Sequence, residues 1–382
     1  MQISWTMPVV LHWFLPTSGD SRSIVGDDDR SGRRTHTASS AAAVREADID
    51  YLVDVARAAE RNGFTGVLTP TSTWCEDAWL TTAAIARETR TLRFLVAFRP
   101  GSLSPTLAAQ MAATFQRISG GRLMLNIVTG SDATEQRRFG DWLDHDQRYE
   151  RTDEFLSVLR GAWSGPYDFE GEHYRVAGAV APGRFAPPPI YFGGSSLPAL
   201  DVAARHVDTY LTWGEPPAAV AEKIAAVRER AAAAGRTLRF GIRLHVITRD
   251  TAEQAWSEAN ALLSALSPEE IEKAQQSLRQ AESVGQQRML ALHGGSIDNL
   301  EVSPNLWAGV GLVRPGAGTA LVGSHTEVAD RIAEYHELGI DEFILSGYPH
   351  LEEAYHAGEG LVPELRRRGL LAPTPSSPGE PS

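Results

Sequence analysis

Arg243 and His245 occupy alternate positions of the run GIRLHVI, separated by Leu244, so a β-strand there turns both side chains onto one face. A guanidinium and an imidazole on an inward face are costly to desolvate unless an anion or a partner compensates them. An internal salt bridge would do so, but a bound anionic substrate is the better reading. Arginine keeps its charge and presents a planar fork of donors, which suits it to holding an anion. Histidine changes protonation near neutral pH, so His245 is expected to donate or accept a proton there. Tyr348 and His350 repeat the i, i+2 spacing near the end of the chain. A closed sheet brings these four side chains together.

The single cysteine, Cys75, stands in TPTSTWCEDAW just ahead of Glu76 and Asp77. Those carboxylates complement a helix start but do not lower a thiol pKa, so no thiolate nucleophile is expected; Cys75 either packs or positions a ligand. The run YFGGSS (191–196), ahead of a helical pattern, resembles a phosphate cradle, in which glycines allow close backbone approach and a helix start offers unpaired N–H groups. No GxGxxG, P-loop, HExxH or GxSxG pattern occurs, so a Rossmann site, a nucleotide P-loop, a metal centre and a serine triad are not indicated.

Positioning these residues falls to eight short β-branched or aromatic runs, at 9–15, 66–70, 93–100, 122–130, 188–194, 208–214, 239–248 and 342–350. Helical patterns separate them, such as 48–63 with its Gly63 stop and 105–121 with Pro105 at its start. Eight strand-helix units predict an α/β fold, one (β/α)8 TIM barrel over residues 1–370. The site of such a barrel lies at the C-terminal ends of its strands, where the sequence places Arg99, Asn126, Thr129, Gly193, Gly194, Ser195, Ser196 and Trp213. Four stretches depart from the repeat: a polar loop insertion at 20–44, a hairpin at 167–176, a lid-like insertion at 266–318, and a tail at 371–382 whose four prolines predict disorder.

Composition narrows the classes. The 382 residues carry a net charge of −12, which argues against a nucleic-acid or acidic-membrane partner. No apolar run reaches membrane-spanning length. The opening MQISWTMPVVLHWFLP lacks a basic n-region and a cleavage site, so a cytoplasmic protein is expected.

Longer segments carry a resemblance. HWFLPTSGD (12–20), TGVLTPTSTWCEDAW (65–79), the run from Arg93 to Asp132, LDHDQRYE (143–150), YFGGSS, LTWGEPP (211–217), RFGIRLHVI (239–247), SVGQQRM (283–289), the run from Ser303 to Gly323 and SGYPHLEEAY (346–355) together resemble the FMNH2-dependent, two-component alkanesulfonate monooxygenases of the bacterial luciferase-like family. The resemblance implies a luciferase-like barrel that takes reduced FMN from a separate NAD(P)H-dependent FMN reductase. It implies use of O2 to cleave the C–S bond of an organosulfonate, with release of sulfite and an aldehyde. It implies functional roles for Cys75, Arg243, His245, Arg314 and Tyr348, and substrate-pocket roles for Trp213 and His350. Tyr149, Ser195 and Ser196 look like the FMN phosphate contacts, with Asn126 and Thr129 beside them in the cofactor site. A homodimer or homotetramer is implied as well. The chain departs from the simplest linear-alkanesulfonate enzymes in its longer 20–44 loop and in Trp74, so sulfoquinovose and methanesulfonate are alternative substrates. A deazaflavin F420-dependent reductase of the same barrel family, and a flavin-binding protein without catalysis, are the other two readings.

Overall fold

The computed structural model describes residues 8–24, 45–130 and 132–372. The first half of the chain runs β1 (Val10–Phe14), α1 (Ile49–Arg61), β2 (Gly66–Thr69), α2 (Ala78–Ile85), β3 (Arg93–Phe98), α3 (Pro105–Ser119), β4 (Leu123–Ile127), α4 (Ala133–Arg138) and α5 (His145–Ser164). There follow β5 (Tyr167–Glu170), β6 (Arg175–Ala179), β7 (Ile190–Gly193), α6 (Leu197–His206), β8 (Thr209–Trp213), α7 (Pro217–Ala233) and β9 (Arg239–Arg249). The remainder is α8 (Ala252–Ser264), α9 (Pro268–Leu278), α10 (Val284–His293), β10 (Glu301–Ser303), β11 (Leu306–Trp307), β12 (Ala320–Ser324), α11 (His325–Glu337), β13 (Glu342–Ser346), α12 (His350–His356) and α13 (Val362–Arg367).

Eight of these strands, in the order β1, β2, β3, β4, β7, β8, β9 and β13, pair in parallel, and β13 pairs back to β1 to close the barrel. Each corresponds to one of the eight runs expected from the sequence. Local chemistry sets the helix ends. Asp48 accepts the Tyr51 N–H at 2.8 Å to start α1, while Ser104 and Pro105 open α3, which stops at Gly120 in the left-handed region. Buried Leu52, Val55, Ala56 and Ala59 turn α1 onto the barrel wall.

Inside the barrel, Phe14, Leu68, Leu95, Met124, Tyr191, Leu211 and Ile344 meet, one from each of seven strands. The eighth, β9, contributes Gly241, where a Cβ would come within 2.7 Å of Leu211. Towards the N-terminal end of the barrel, Glu342 is almost wholly buried and accepts from Tyr191 Oη at 2.8 Å, with His12 Nε2 at 3.0 Å and Arg239 Nη1 at 2.9 Å. Burial alone would raise its pKa, but the His12 hydrogen bond and the His12 and Arg239 charges hold it below the usual glutamate value.

Three expectations are corrected. The last strand ends at Ser346, not at 350; Tyr348 and the cis-proline Pro349 lie in the turn that follows, and His350 begins α12. Pro349 has no N–H to offer a ladder, which is why pairing stops short of it. The connection from β9 to β13 also contains a strand not foreseen, β12, parallel to the outer half of β9 from His245 to Arg249. β9 has 11 residues, enough to serve the barrel with its first half and carry β12 on its second. Finally, Leu371 bridges Val9, so the tail does not begin at 371. Residues 373–382 of the expected tail and 25–44 of the expected loop lie outside the described residues; Asp20 and Arg45 pair antiparallel at the foot of that loop. The hairpin near 167–176 forms as β5 and β6.

Removing the Glu342 carboxylate strands His12 and Tyr191 in the barrel interior. Glu342→Ala should cost about 3 kcal/mol of folding stability in urea titrations at neutral pH. Because the folded-state pKa is depressed, this stabilisation is present above the unfolded-state pKa and is lost as pH falls through the folded value, so wild type and variant should converge in acid.

Candidate active site

Arg243 leaves β9 into the C-terminal mouth of the barrel. One nitrogen, Nη1, donates to the Leu244 carbonyl at 2.7 Å and lies 3.5 Å from that of Ile344, and the guanidinium lies over the Phe14 ring at 4.7 Å. No carboxylate pairs with it among the described residues. Burial pushes its pKa down to about 10, opposed by Tyr348. The internal salt bridge is therefore not formed among the described residues, which leaves the cation open to an anion at the mouth.

His245 shares that face, as the alternation requires. It stacks on Tyr348 at 5.3 Å, and Tyr348 meets His350 edge-on at 5.2 Å, so the four side chains do converge. Both ring nitrogens of His245 are occupied, Nε2 at 3.0 Å from the Ala317 carbonyl and Nδ1 at 2.7 Å from Ser346 Oγ. A carbonyl only accepts, so Nε2 carries the proton and the serine hydroxyl donates to Nδ1. Burial first, then the Arg243 and His350 charges, drive the His245 pKa well down. It is held neutral, contrary to the proton exchange near neutral pH that its residue type suggested.

On the opposite side, Gly193 ends β7 and Gly194 follows it. A Cβ on Gly193 would sit 2.8 Å from the Leu211 carbonyl, and one on Gly194 2.6 Å from Ala199 and 3.3 Å from the Tyr149 hydroxyl. Tyr210 ties the Gly194 carbonyl through its hydroxyl. Ser196 is the N-cap of α6 yet makes no capping bond, and its Oγ is buried without a partner, as is Thr129 Oγ1. The Tyr149 hydroxyl faces both; burial raises its pKa, with Ser196 and Thr129 opposing. Close glycines, an uncapped helix start and orphaned hydroxyls fit a phosphate monoester. Ser195 stands next to them, half-buried, and Asn126 lies half-buried on β4 on the same side as the interior Met124.

The remaining expected residues are more dispersed. Cys75 lies half-buried between β2 and α2, its thiol pushed up to about 11 by burial, with the Thr17 hydroxyl opposing, so it is no thiolate at neutral pH. Trp213, at the end of β8, abuts α10, where a Cβ on Gly285 would approach its ring to 3.1 Å. Arg314 lies over the Tyr348 ring at 5.3 Å and donates to the Ile24 carbonyl at 2.8 Å. Its segment is packed: Gly311 N–H bonds the Gly318 carbonyl at 2.8 Å, a Cβ on Gly318 would lie 2.6 Å from Gly311 Cα, and Gln275 and Gln286 hold the backbone from below. The glycines at 311 and 318 serve close approach, not mobility.

Residues without an assigned role also gather here. Arg99, almost fully buried, pairs with Glu135 at 2.5 Å but keeps Nε and Nη1 unpartnered; Thr17 Oγ1, Thr69 Oγ1 and Gln136 Nε2 are likewise orphaned. Arg148, beside Tyr149, is buried and reaches Glu282 of the insertion at 3.1 Å. Arg99 and Thr69 were visible as strand ends; Thr17, Gln136 and Arg148 gave no signal in spacing. Among the described residues no cluster of His, Cys, Asp and Glu is arranged to hold a metal ion, and no helix is long and apolar enough to cross a membrane.

Among the described residues, a cation without a carboxylate, a glycine-flanked helix start and unpartnered donors gather at one mouth of the barrel, as suits a ligand site, and the sequence matches the luciferase-like monooxygenase model over residues 29–342. The chain belongs to that family. In fold it is similar to riboflavin lyase RcaE, solved with modified FMN and riboflavin, at TM-score 0.77 and 20% identity over 96% of this chain and 93% of that one. DmoA from Hyphomicrobium sulfonivorans gives 0.74 and 21% over 98% and 91%, and the EDTA monooxygenase EmoA from Chelativorans sp. BNC1 gives 0.72 and 20% over 96% and 95%.

An orphaned hydroxyl that awaits a ligand costs the free protein something. Ser196→Ala should leave folding stability unchanged or slightly raised while weakening a ligand that carries a phosphate monoester about tenfold and its dephosphorylated form hardly at all, as read by titration with such a pair.

Proposed function

We propose that this chain is a reduced-FMN-dependent monooxygenase that cleaves the C–S bond of an organosulfonate. The observation that carries the reading is Arg243, a cation at the mouth with backbone carbonyls and an aromatic face for neighbours and, among the described residues, no carboxylate. A sulfonate is a permanent anion whose oxygens match the arginine fork. EDTA is also a polyanion while riboflavin is not, so the fold relatives do not choose the substrate and the choice rests on that side chain.

Ser195, Ser196, Thr129 and Tyr149 would hold the FMN phosphate, with Asn126 beside them. When bound, reduced FMN supplies the activation of O2. Arg243 holds the sulfonate, Trp213 and Tyr348 line its path, and Arg314 lies across Tyr348 from the insertion, where it excludes water. Neutral His245 stiffens this wall through its two fixed hydrogen bonds. Cys75, as a thiol, contributes contact near Thr17 and not nucleophilicity. The reading includes a separate NAD(P)H-dependent FMN reductase as electron source, a homodimeric or homotetrameric assembly and a cytoplasmic setting. Linear alkanesulfonates, methanesulfonate and sulfoquinovose form the substrate panel.

With a reductase, NAD(P)H, FMN and O2 supplied, the panel should yield sulfite, and no sulfite from any member would overturn the proposal; turnover without oxygen would point instead to an F420-type hydride transfer. Arg243→Lys keeps the charge but loses the fork and should lower kcat/KM at least about tenfold, roughly 1.4 kcal/mol. Full activity in that variant would remove the bidentate argument.

A further inference from the structure

Asp20 and His350 are 330 residues apart in sequence, yet both are buried and joined twice. Asp20 Oδ2 accepts the His350 backbone N–H at 2.7 Å, and Oδ1 lies 2.8 Å from His350 Nδ1. The same carboxylate accepts the Ser21 N–H at 2.9 Å and the Tyr51 hydroxyl, so every neighbour is a donor. Burial would raise the Asp20 pKa, but the His350 charge and its hydrogen bonds hold it low. The acceptor is therefore a carboxylate, which requires a proton on His350 Nδ1. The other nitrogen, Nε2, makes no hydrogen bond among the described residues, and the ring lies against Phe14 and Tyr348 at the mouth. His245 has no such free nitrogen.

We infer that Asp20 is the positioning residue that fixes His350 as its Nδ1–H tautomer, so that Nε2 faces the mouth as a hydrogen-bond acceptor. The inference rests on the monooxygenase reading for its role in turnover. With Nδ1–H donated to Asp20 Oδ1, Nε2 carries no proton and accepts from an N–H or O–H of the molecule bound there. The charged and titratable groups around the ring are Asp20 and Tyr51 behind it, Arg45 and Glu352 beyond them, Tyr348 against its edge, and Arg243, His245 and Arg314 across the mouth. Arg45 pairs with Glu352 and with the Asp20 backbone, which keeps the carboxylate in place.

The test has two arms. In the first, 15N-histidine NMR of the full-length protein, with signals assigned by His350→Gln and His245→Asn, should show His350 as the Nδ1–H tautomer and His245 as the Nε2–H tautomer. In Asp20→Asn the Nδ1–H form of His350 should lose ground to the Nε2–H form, since the carboxylate that accepts from Nδ1 is gone. An Nε2–H tautomer for His350 in the wild type overturns the inference. The wild-type tautomer is read without any substitution, so it decides even if Asp20→Asn disturbs the fold near Arg45. In the second arm, sulfite release by Asp20→Asn should fall about tenfold or more in kcat with KM and FMN affinity little changed. Unchanged kcat overturns the role in turnover. Absence of sulfite from the wild type counts against the sulfonate reading, while the NMR arm still decides the Asp20–His350 arrangement.

Discussion

Arg243 is held at the barrel mouth by backbone carbonyls and the face of Phe14, with no carboxylate in reach among the described residues. A buried guanidinium without a counter-charge is expensive, and a folded chain tolerates it where a ligand or a strong surrounding framework offsets the cost. The framework is visible. Gly241 on the same strand leaves room for Leu211, six other strands send apolar side chains inward, and β9 is extended by β12 so that its outer half stays paired beyond the point where β8 ends. The long strand therefore carries Arg243 and His245 on backbone whose hydrogen bonds are satisfied on both sides.

The two ends of the barrel treat charge differently. Near the N-terminal end, the Glu342 carboxylate is met by His12, Tyr191 and Arg239, although His12 Nδ1 is left without a partner. At the C-terminal mouth the polar groups are left open: Arg243, the free donors of Arg99, and the hydroxyls of Thr69, Thr129 and Ser196. The first arrangement contributes to stability and the second is suited to binding, which is the division expected of this architecture. The insertion between β9 and β13 closes over the open end through Arg314 on Tyr348, Gly285 on Trp213 and the pairing of Arg288 with Glu215.

Much of this was legible in the chain. Alternating β-branched runs report strands because burial selects them, and all eight barrel strands lie where the runs do. The face shared by Arg243 and His245 follows from a period of two. What spacing cannot report is which nitrogen of a ring is already occupied. His245 reads as a titrating group until Ser346 and the Ala317 carbonyl are seen to take both nitrogens, and Asp20 has no apparent tie to His350 until the barrel brings them together. The strand β12 was hidden for a different reason: ALVGS is short and small, and its partner is a continuation of a strand already assigned. Trp74, a departure from the linear-alkanesulfonate enzymes, is exposed and lies under the Arg138 guanidinium.

The central claim, that the mouth is built around an unpaired cation for an anionic substrate, is tested most directly by calorimetry. With FMN present, an alkanesulfonate and the neutral sulfonamide of the same chain length would be titrated into the wild-type protein and Arg243→Gln. The account predicts that the wild type binds the sulfonate at least about tenfold more tightly, a preference that weakens with salt and disappears in the variant. Equal affinity for the two ligands in the wild type would contradict it.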